Sequence, residues 1–299
     1  MLCLLTYNDE YQLWSMSADR LVAGMPLASM VGTTAAPTRL ASPASPHNVP
    51  EPATLEAVKK EPPTAKLAAT SHGCLVLAAG RAFLLSGPSS TRAVSGAIRE
   101  LAAKASAIAF QAGRILVATA EHALVLDESG AELARVEIEQ GASALGLVDG
   151  GRLLVVGYDA GDLVLLPIDP GAARSGLSFE ETEPYAVERI GEGPRQTLIV
   201  GYESGHLGIW SLQTGKRLRH FKLHGPVVHL LVDSQSRRLY AATEVGDYQA
   251  IDLSVLYQDY CELLSDVWSN VPVVWQEGMP LPAAPPAAHR CAGGAHGHR

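Results

Sequence analysis

The sequence predicts an all-β fold assembled from short repeated sheets, and three observations carry that expectation. Six segments share one pattern: an apolar strand, a short polar or glycine-containing turn, then a second apolar strand ending in a bulky residue. They are LLTYNDEYQLWS (4–15), CLVLAAGRAFLLS (74–86), ILVATAEHALVLD (115–127), LLVVGYDAGDLVLLP (153–167), TLIVGYESGHLGIWS (197–211) and RLYAATEVGDYQAID (238–252). Their bulky landmarks, Trp14, Leu85, Leu126, Leu166, Trp210 and Ile251, fall 40 to 44 residues apart except for one gap of 71 between the first two. The strands also follow one another without intervening helices, which excludes a doubly wound parallel sheet. A period of about 40–45 residues with several short strands per unit is the signature of a four-stranded propeller blade. One such sheet has two apolar faces and can bury neither alone, so neighbours must stack and the ring must close. The expected architecture is a β-propeller of about six four-stranded blades, with seven as the other count.

The remaining elements fall where this arrangement needs them. Residues 105–110, 142–148, 185–190 and 227–232 precede their hairpins as inner strands, and 132–138 and 217–223 follow as outer strands. The turns at 128–130, 149–151 and 233–236 are rich in Gly, Asp and Ser, which tolerate positive φ or cap turns. Residues 1–31 make a first, partial blade, and 67–253 hold the remaining blades. Residues 32–66 are rich in Pro, Ala, Ser and Thr and keep no strand period, so they read as a disordered insertion. Residues 280–299 read as a disordered tail.

Between blades and tail, residues 253–268 lose the period of two. Val255, Leu256, Tyr260, Leu263, Leu264 and Val267 recur at three and four, as on an amphipathic helix with Ser254 at its N-cap. Pro272 then allows a short strand, 271–275. The first repeat begins in its second strand, 2–7, so strand 271–275 is expected to supply the missing inner strand and close the ring. Residues 254–279 thus form a helix and a ring-closing strand, completing a single domain over 1–279. The helix is expected to replace the outer strand of the sixth blade. Its aromatic residues Tyr257, Tyr260 and Trp268, with Trp275 beyond, either pack on the ring or offer a docking surface to a partner.

Composition narrows the function classes. Hydrophobic residues make up 47% of the 299 and charged residues 18%, with a formal net charge of −8. Nucleic-acid binding needs a basic stripe, and the nearest approach, Lys216, Arg217, Arg219, His220 and Lys222, reads as a solvated outer strand. The apolar start lacks a basic flank, and no window reaches the roughly 18 apolar residues of a membrane span. Cytoplasmic residence is the expectation. The cysteines, Cys3, Cys74, Cys261 and Cys291, form no C-x-x-C pair and match neither a zinc knuckle nor a redox dithiol. Arginine outnumbers lysine and alanine is abundant, which points to a GC-rich bacterial genome.

The fifth repeat, TLIVGYESGHLGIWSLQTGKRLRHFKLHGPVVHLL, resembles a WD40 unit. Trp210 and Ser211 stand where that family places its Trp-Asp pair, and Gln213, Thr214 and Gly215 match the turn into the outer strand. His224, Gly225 and Pro226 match the approach to the next inner strand, and Gly205 the tight turn. The resemblance implies a buried hydrogen-bond network in which His224 and Trp210 fill two places. The turn residue is Ser204 instead of Asp, with Ala160 and Val245 in the corresponding turns, so most blades are expected to rest on apolar packing. Degenerate WD40 and quinoprotein-like propellers are the families it is similar to.

No catalytic constellation emerges. His289, His296 and His298 with Cys291 sit among Gly and Ala with nothing to fix a metal geometry. Glu180, Glu181 and Glu183 read as a solvated loop, and Ser204 with His206 as an isolated pair. No G-x-S-x-G, H-E-x-x-H or phosphate-binding loop occurs. The expectation is a non-enzyme without cofactor or metal, acting as a protein-interaction scaffold. Resemblance to stand-alone bacterial propellers implies partners in a multi-protein assembly such as a regulatory ATPase or kinase system. A ligand-binding or hydrolytic propeller with a site in its central channel, of quinoprotein or lactonase type, is the rival.

Overall fold

The computed structural model describes residues 66–70, 73–86, 97–169, 171–172, 177–271, 273–276, 278–282 and 290–291, and the backbone of 2–5, 10–15 and 20–26. Its sheets are antiparallel, and the strands within each follow chain order. The first holds β1 (Leu2–Leu5), β2 (Glu10–Ser15) and β3 (Arg20–Pro26). The second holds β4 (Lys66–Ala69), β5 (Gly73–Ala78), β6 (Arg81–Ser86) and β7 (Ala97–Ala103). The third holds β8 (Ala105–Gln111), β9 (Arg114–Thr119), β10 (His122–Leu126) and β11 (Glu132–Glu137). The fourth holds β12 (Ala142–Val148), β13 (Leu153–Tyr158) and β14 (Leu163–Pro167). The fifth holds β15 (Val187–Gly193), β16 (Thr197–Tyr202), β17 (His206–Ser211) and β18 (Arg217–Lys222), and the sixth β19 (Val227–Asp233), β20 (Arg238–Thr243) and β21 (Tyr248–Asp252).

Alternation along each strand sends successive side chains to opposite faces, and here both faces are apolar. The core therefore forms between sheets. Leu75, Leu77 and Leu84 of the second sheet meet Ile108, Ile115 and Val117 of the third. Leu116, Ala118 and Val125 of the third meet Leu145, Leu154 and Val156 of the fourth. Val155 and Leu165 of the fourth meet Val187, Leu198 and Val200 of the fifth, and Ile199, Leu207 and Ile209 of the fifth meet Val227, Leu239 and Ala241 of the sixth. One face of each of the second to fifth sheets is thus covered by the next sheet in the chain. The sixth breaks the series. In register, Ala241 and Ala242 pair with Gln249 and Tyr248 as Val200 and Gly201 pair with Gly208 and Leu207. Tyr240 and Tyr248 therefore stand where the fifth sheet has the buried Ile199 and Leu207, yet they are 38% and 76% exposed, and Leu231 is 64% exposed.

Several expectations need correction. The fourth sheet has three strands among the described residues, not four. The expected helix at 253–268 is two helices, α1 (Ser254–Tyr257) and α2 (Tyr260–Asn270), and Ser254 caps neither. Asp259 does so for α2: its carboxylate accepts from the Glu262 backbone while Glu262 reaches back to the Asp259 N–H. That reciprocal pair satisfies two orphan donors and restarts the helix. The ring-closing strand is not formed either. β22 (Val273–Gln276) pairs with β23 (Met279–Pro282), not with β1. Gln276 pairs with Met279, with Gly278 at φ +80° between them, and such a local closure costs far less chain entropy than pairing across the whole sequence. The stretch 280–299 is not wholly a free tail, because β23 runs into it and Cys291 is joined to Cys261 of α2 in a disulfide. Cys74 is disulfide-bonded as well. The insertion expected at 32–66 lies outside the described residues up to β4, where Lys66 begins a strand.

Candidate functional site

Two places gather polar side chains. The first is a cavity of about 640 Å³ lined by the leading strands β4, β8, β12, β15 and β19. Its charges are spent on one another and on the backbone. Lys66 Nζ lies 3.0 Å from Glu188 Oε2, and the Arg189 guanidinium donates to the carbonyls of Val228 and Leu67. Gln111 clamps Leu147 through both amide ends, each at 2.8 Å, and the Glu192 carboxylate accepts from the Asp149 N–H at 2.8 Å. Burial, then the charge of Arg189, pushes the His229 imidazole below its ordinary value, which keeps it neutral near pH 7. These bonds tie sheet to sheet; none sets a nucleophile against a base.

The second place is on the fifth sheet, where the loop leading into β15 meets the β17–β18 hairpin. Trp210, fully buried in β17, donates its indole N–H to the Glu180 carbonyl at 2.8 Å, which anchors that loop. Three residues on, Glu183 turns inward. Its Oε1 accepts from Arg217 Nη1 at 2.8 Å and lies 3.5 Å from His220 Nε2, while Oε2 lies 2.8 Å from His206 Nδ1. Arg217 also holds the Glu181 carbonyl at 2.8 Å and the Glu181 carboxylate at 3.0 Å. His206 and His220 share a face of the hairpin, since His206 pairs with Lys222 and Gly208 with His220. Their rings meet edge to face at 4.8 Å. The expected solvated acidic loop and solvated basic strand are therefore one half-buried cluster. Gly161 makes the approach feasible: it sits at φ +88°, and a Cβ there would fall 1.7 Å from the Glu183 carbonyl oxygen.

Two buried polar atoms of this cluster make no hydrogen bond among the described residues. His206 Nδ1 is one, because the nearby Glu183 oxygen lies off the ring N–H direction despite the short distance. The Tyr202 hydroxyl is the other; it sits beside Glu183 but outside hydrogen-bond geometry, and burial pushes its ionisation far up. His220 is pushed below its ordinary value, first by burial and then by the positive charge of Arg217.

The WD40-like residues expected to share a network take separate partners. Trp210 bonds Glu180, as described, whereas the exposed His224 faces the carboxylate of Asp247, with Oδ2 3.0 Å from its backbone N and 3.2 Å from Nδ1. Asp247 begins the last leg of the β20–β21 turn, two residues beyond Val245, and its N–H donates to Thr243 Oγ1 at 3.1 Å. Reading the turn position at Ser204 and Val245 missed it. Gly205 closes the β16–β17 turn at φ +85°, where a Cβ would fall 2.4 Å from the Leu223 carbonyl. Ser211 Oγ accepts from the N–H groups of Gln213 and Thr214, a local turn bond.

Of the aromatic residues expected at a docking surface, Tyr257 packs against the core between the fifth and sixth sheets, under the Arg237 guanidinium at 5.6 Å. Tyr260 is half exposed with Arg290 over its ring at 4.7 Å, and Trp268 lies half-buried on α2. Trp275 lies in β22 with its backbone opposite Pro280. Cys291, once grouped with the tail histidines, is taken by its disulfide, and His289, His296 and His298 lie outside the described residues. No helix among the described residues is long and apolar enough to cross a membrane.

No protein-family model matches the chain. No curated protein matches it either. Among solved structures, it is similar to the computationally designed Ika8 protein at a TM-score of 0.49 and 15% identity, over 81% of this chain and 65% of that one. It is also similar to the computationally designed Ika4 protein at a TM-score of 0.40 and 19% identity, over 50% of this chain and 91% of that one.

Proposed function

We propose that the six sheets are the blades of a degenerate, WD40-like β-propeller whose ring leaves the outer face of the sixth sheet uncovered, and that it acts as a non-catalytic protein–protein interaction scaffold in a multi-protein assembly. Face-on-face stacking of consecutive sheets, with the leading strands around one cavity, supports the propeller. The observation that carries the scaffold is the outer face of the sixth sheet. Leu231, Tyr240 and Tyr248 are exposed there, although the matching face of each of the four preceding sheets is covered by its neighbour. Aromatic side chains at an open apolar face are the composition of interaction surfaces. The self-satisfied polar groups of the cavity favour this reading over a channel-bound ligand.

The test is capture of partners with the full chain and with a Leu231→Glu/Tyr248→Glu variant. Both side chains are exposed, so the variant should melt with the parent. Loss of the captured protein only in the variant supports the scaffold. Capture that is equal in both, or a stoichiometric small molecule bound in place of protein, overturns it. Disulfides belong to an oxidising compartment, which stands against the cytoplasmic residence expected from the sequence; thiol titration of the native protein decides that point.

A further inference from the structure

The geometry points to a zinc site formed by Glu183, His206 and His220. One ligand atom from each lies within 4.8 Å of the others. Four ligands at about 2.0–2.1 Å around a tetrahedral zinc are roughly 3.3 Å apart. Glu183 Oε2 lies 2.8 Å from His206 Nδ1, somewhat inside that spacing, and His220 Nε2 lies 3.5 Å from the other carboxylate oxygen. Two imidazoles with one carboxylate are a donor set that suits zinc, and they leave a fourth position for water.

A plain acid–histidine hydrogen bond accounts for less of what is seen. The short contact between His206 Nδ1 and Glu183 is not a hydrogen bond, and Nδ1 has no other partner among the described residues. A buried ring nitrogen without a hydrogen bond, beside a carboxylate, has the lone pair a cation requires. The scaffold around the ligands is also fixed. The two histidines share one face of a hairpin, and Trp210 and Gly161 hold the loop that carries Glu183.

Arg217 is the competing cation, but it takes Oε1 and leaves Oε2 towards His206. Glu181 offsets its charge at 3.0 Å, the outer support that metal-binding carboxylates commonly have. Acidification works against the site, since its imidazoles must be neutral to ligate. Zinc would fasten the loop ahead of β15 to the β17–β18 hairpin, with its open position towards the exposed His220 side.

The experiment uses the full chain without reductant, so that the disulfides stay closed. His289, His296 and His298 are changed to Gln to silence the tail. Zinc chloride is titrated against a chromophoric chelator, and cobalt chloride is followed by its visible absorption. One zinc per chain, a tetrahedral cobalt spectrum, and at least about tenfold weaker binding in His220→Gln are expected. His220 is exposed, so that variant keeps its fold, which circular dichroism checks; Glu183→Gln should weaken zinc likewise. Failure to bind zinc, or equal affinity in His220→Gln and in His206→Gln/His220→Gln, overturns the site.

Discussion

The fifth and sixth sheets each set an acid against an imidazole where the incoming loop meets the hairpin, and they do so with the partners exchanged. In the fifth, the loop supplies Glu183 and the hairpin His206; in the sixth, the loop supplies His224 and the hairpin Asp247. Tyr202 and Trp210 frame the first pair where Thr243 and Ile251 frame the second. The difference that matters is solvent. Glu183 and His206 side chains are 15% and 23% exposed, Asp247 and His224 38% and 96%. Charges in contact with water gain little from pairing, whereas a half-buried carboxylate loses much when its partners go. Equivalent places in successive repeats thus carry unequal energetic weight.

The largest effect should come from removing the anchor of the inner pair. Trp210→Ala empties a fully buried indole and frees the Glu180 carbonyl, and we expect a loss of about 4 kcal/mol in urea unfolding. Gly161→Ala should follow at about 3 kcal/mol, because it adds a left-handed residue and a collision with the Glu183 backbone. Gly246→Ala is its counterpart on the sixth sheet; it has the same left-handed φ but nothing within 4 Å, so only the conformational part remains, about 1 kcal/mol. Should the two glycine changes cost the same, the loop contact at Gly161 is not what holds Glu183. Glu183→Gln comes next: Arg217 loses its half-buried charged partner, and about 2 kcal/mol should go with it.

How far the sequence reaches can be judged on these same residues. The hairpins were legible because alternation and turn glycines are local, and both faces of each strand are apolar enough to announce the stacking. Trp210 was legible as a landmark for the same reason. The cluster was not. Glu183 and His220 are separated by the three strands β15, β16 and β17, and each sits in a run of like charge that reads as solvated when taken alone. Only the register of β17 with β18, and the bend permitted by Gly161, bring the acidic run onto the basic one. His224 misled differently: its family resemblance suggested Trp210 as company, but the Asp lies after the turn glycine, at Asp247, in the next repeat. The ring-closing strand failed because β23, which follows β22 directly in the chain, is a nearer partner.

Acid should separate the two pairs most finely. His220 titrates below its ordinary value, from burial first and Arg217 second. A depressed imidazole stabilises the fold above about pH 6.5, where even the unfolded chain is neutral. That contribution is lost as pH falls below 6.5 and through the folded value, because the unfolded state binds the proton more readily. Asp247 is held below the usual carboxylate range, first by the His224 backbone N–H and then by its ring. Its contribution is present above about pH 4 and disappears only as pH falls through that lower value. Between pH 7.5 and 5, then, amide exchange should quicken in the loop ahead of β15 and in β17–β18 while the β20–β21 turn stays protected. His220→Gln should abolish that early change. His224→Ala should leave the melting temperature within error at pH 7, because the main bond to Asp247 comes from its backbone, which the substitution retains. A clear drop in His224→Ala, or simultaneous loosening of both hairpins near pH 6, would mean that exposure does not divide the two pairs.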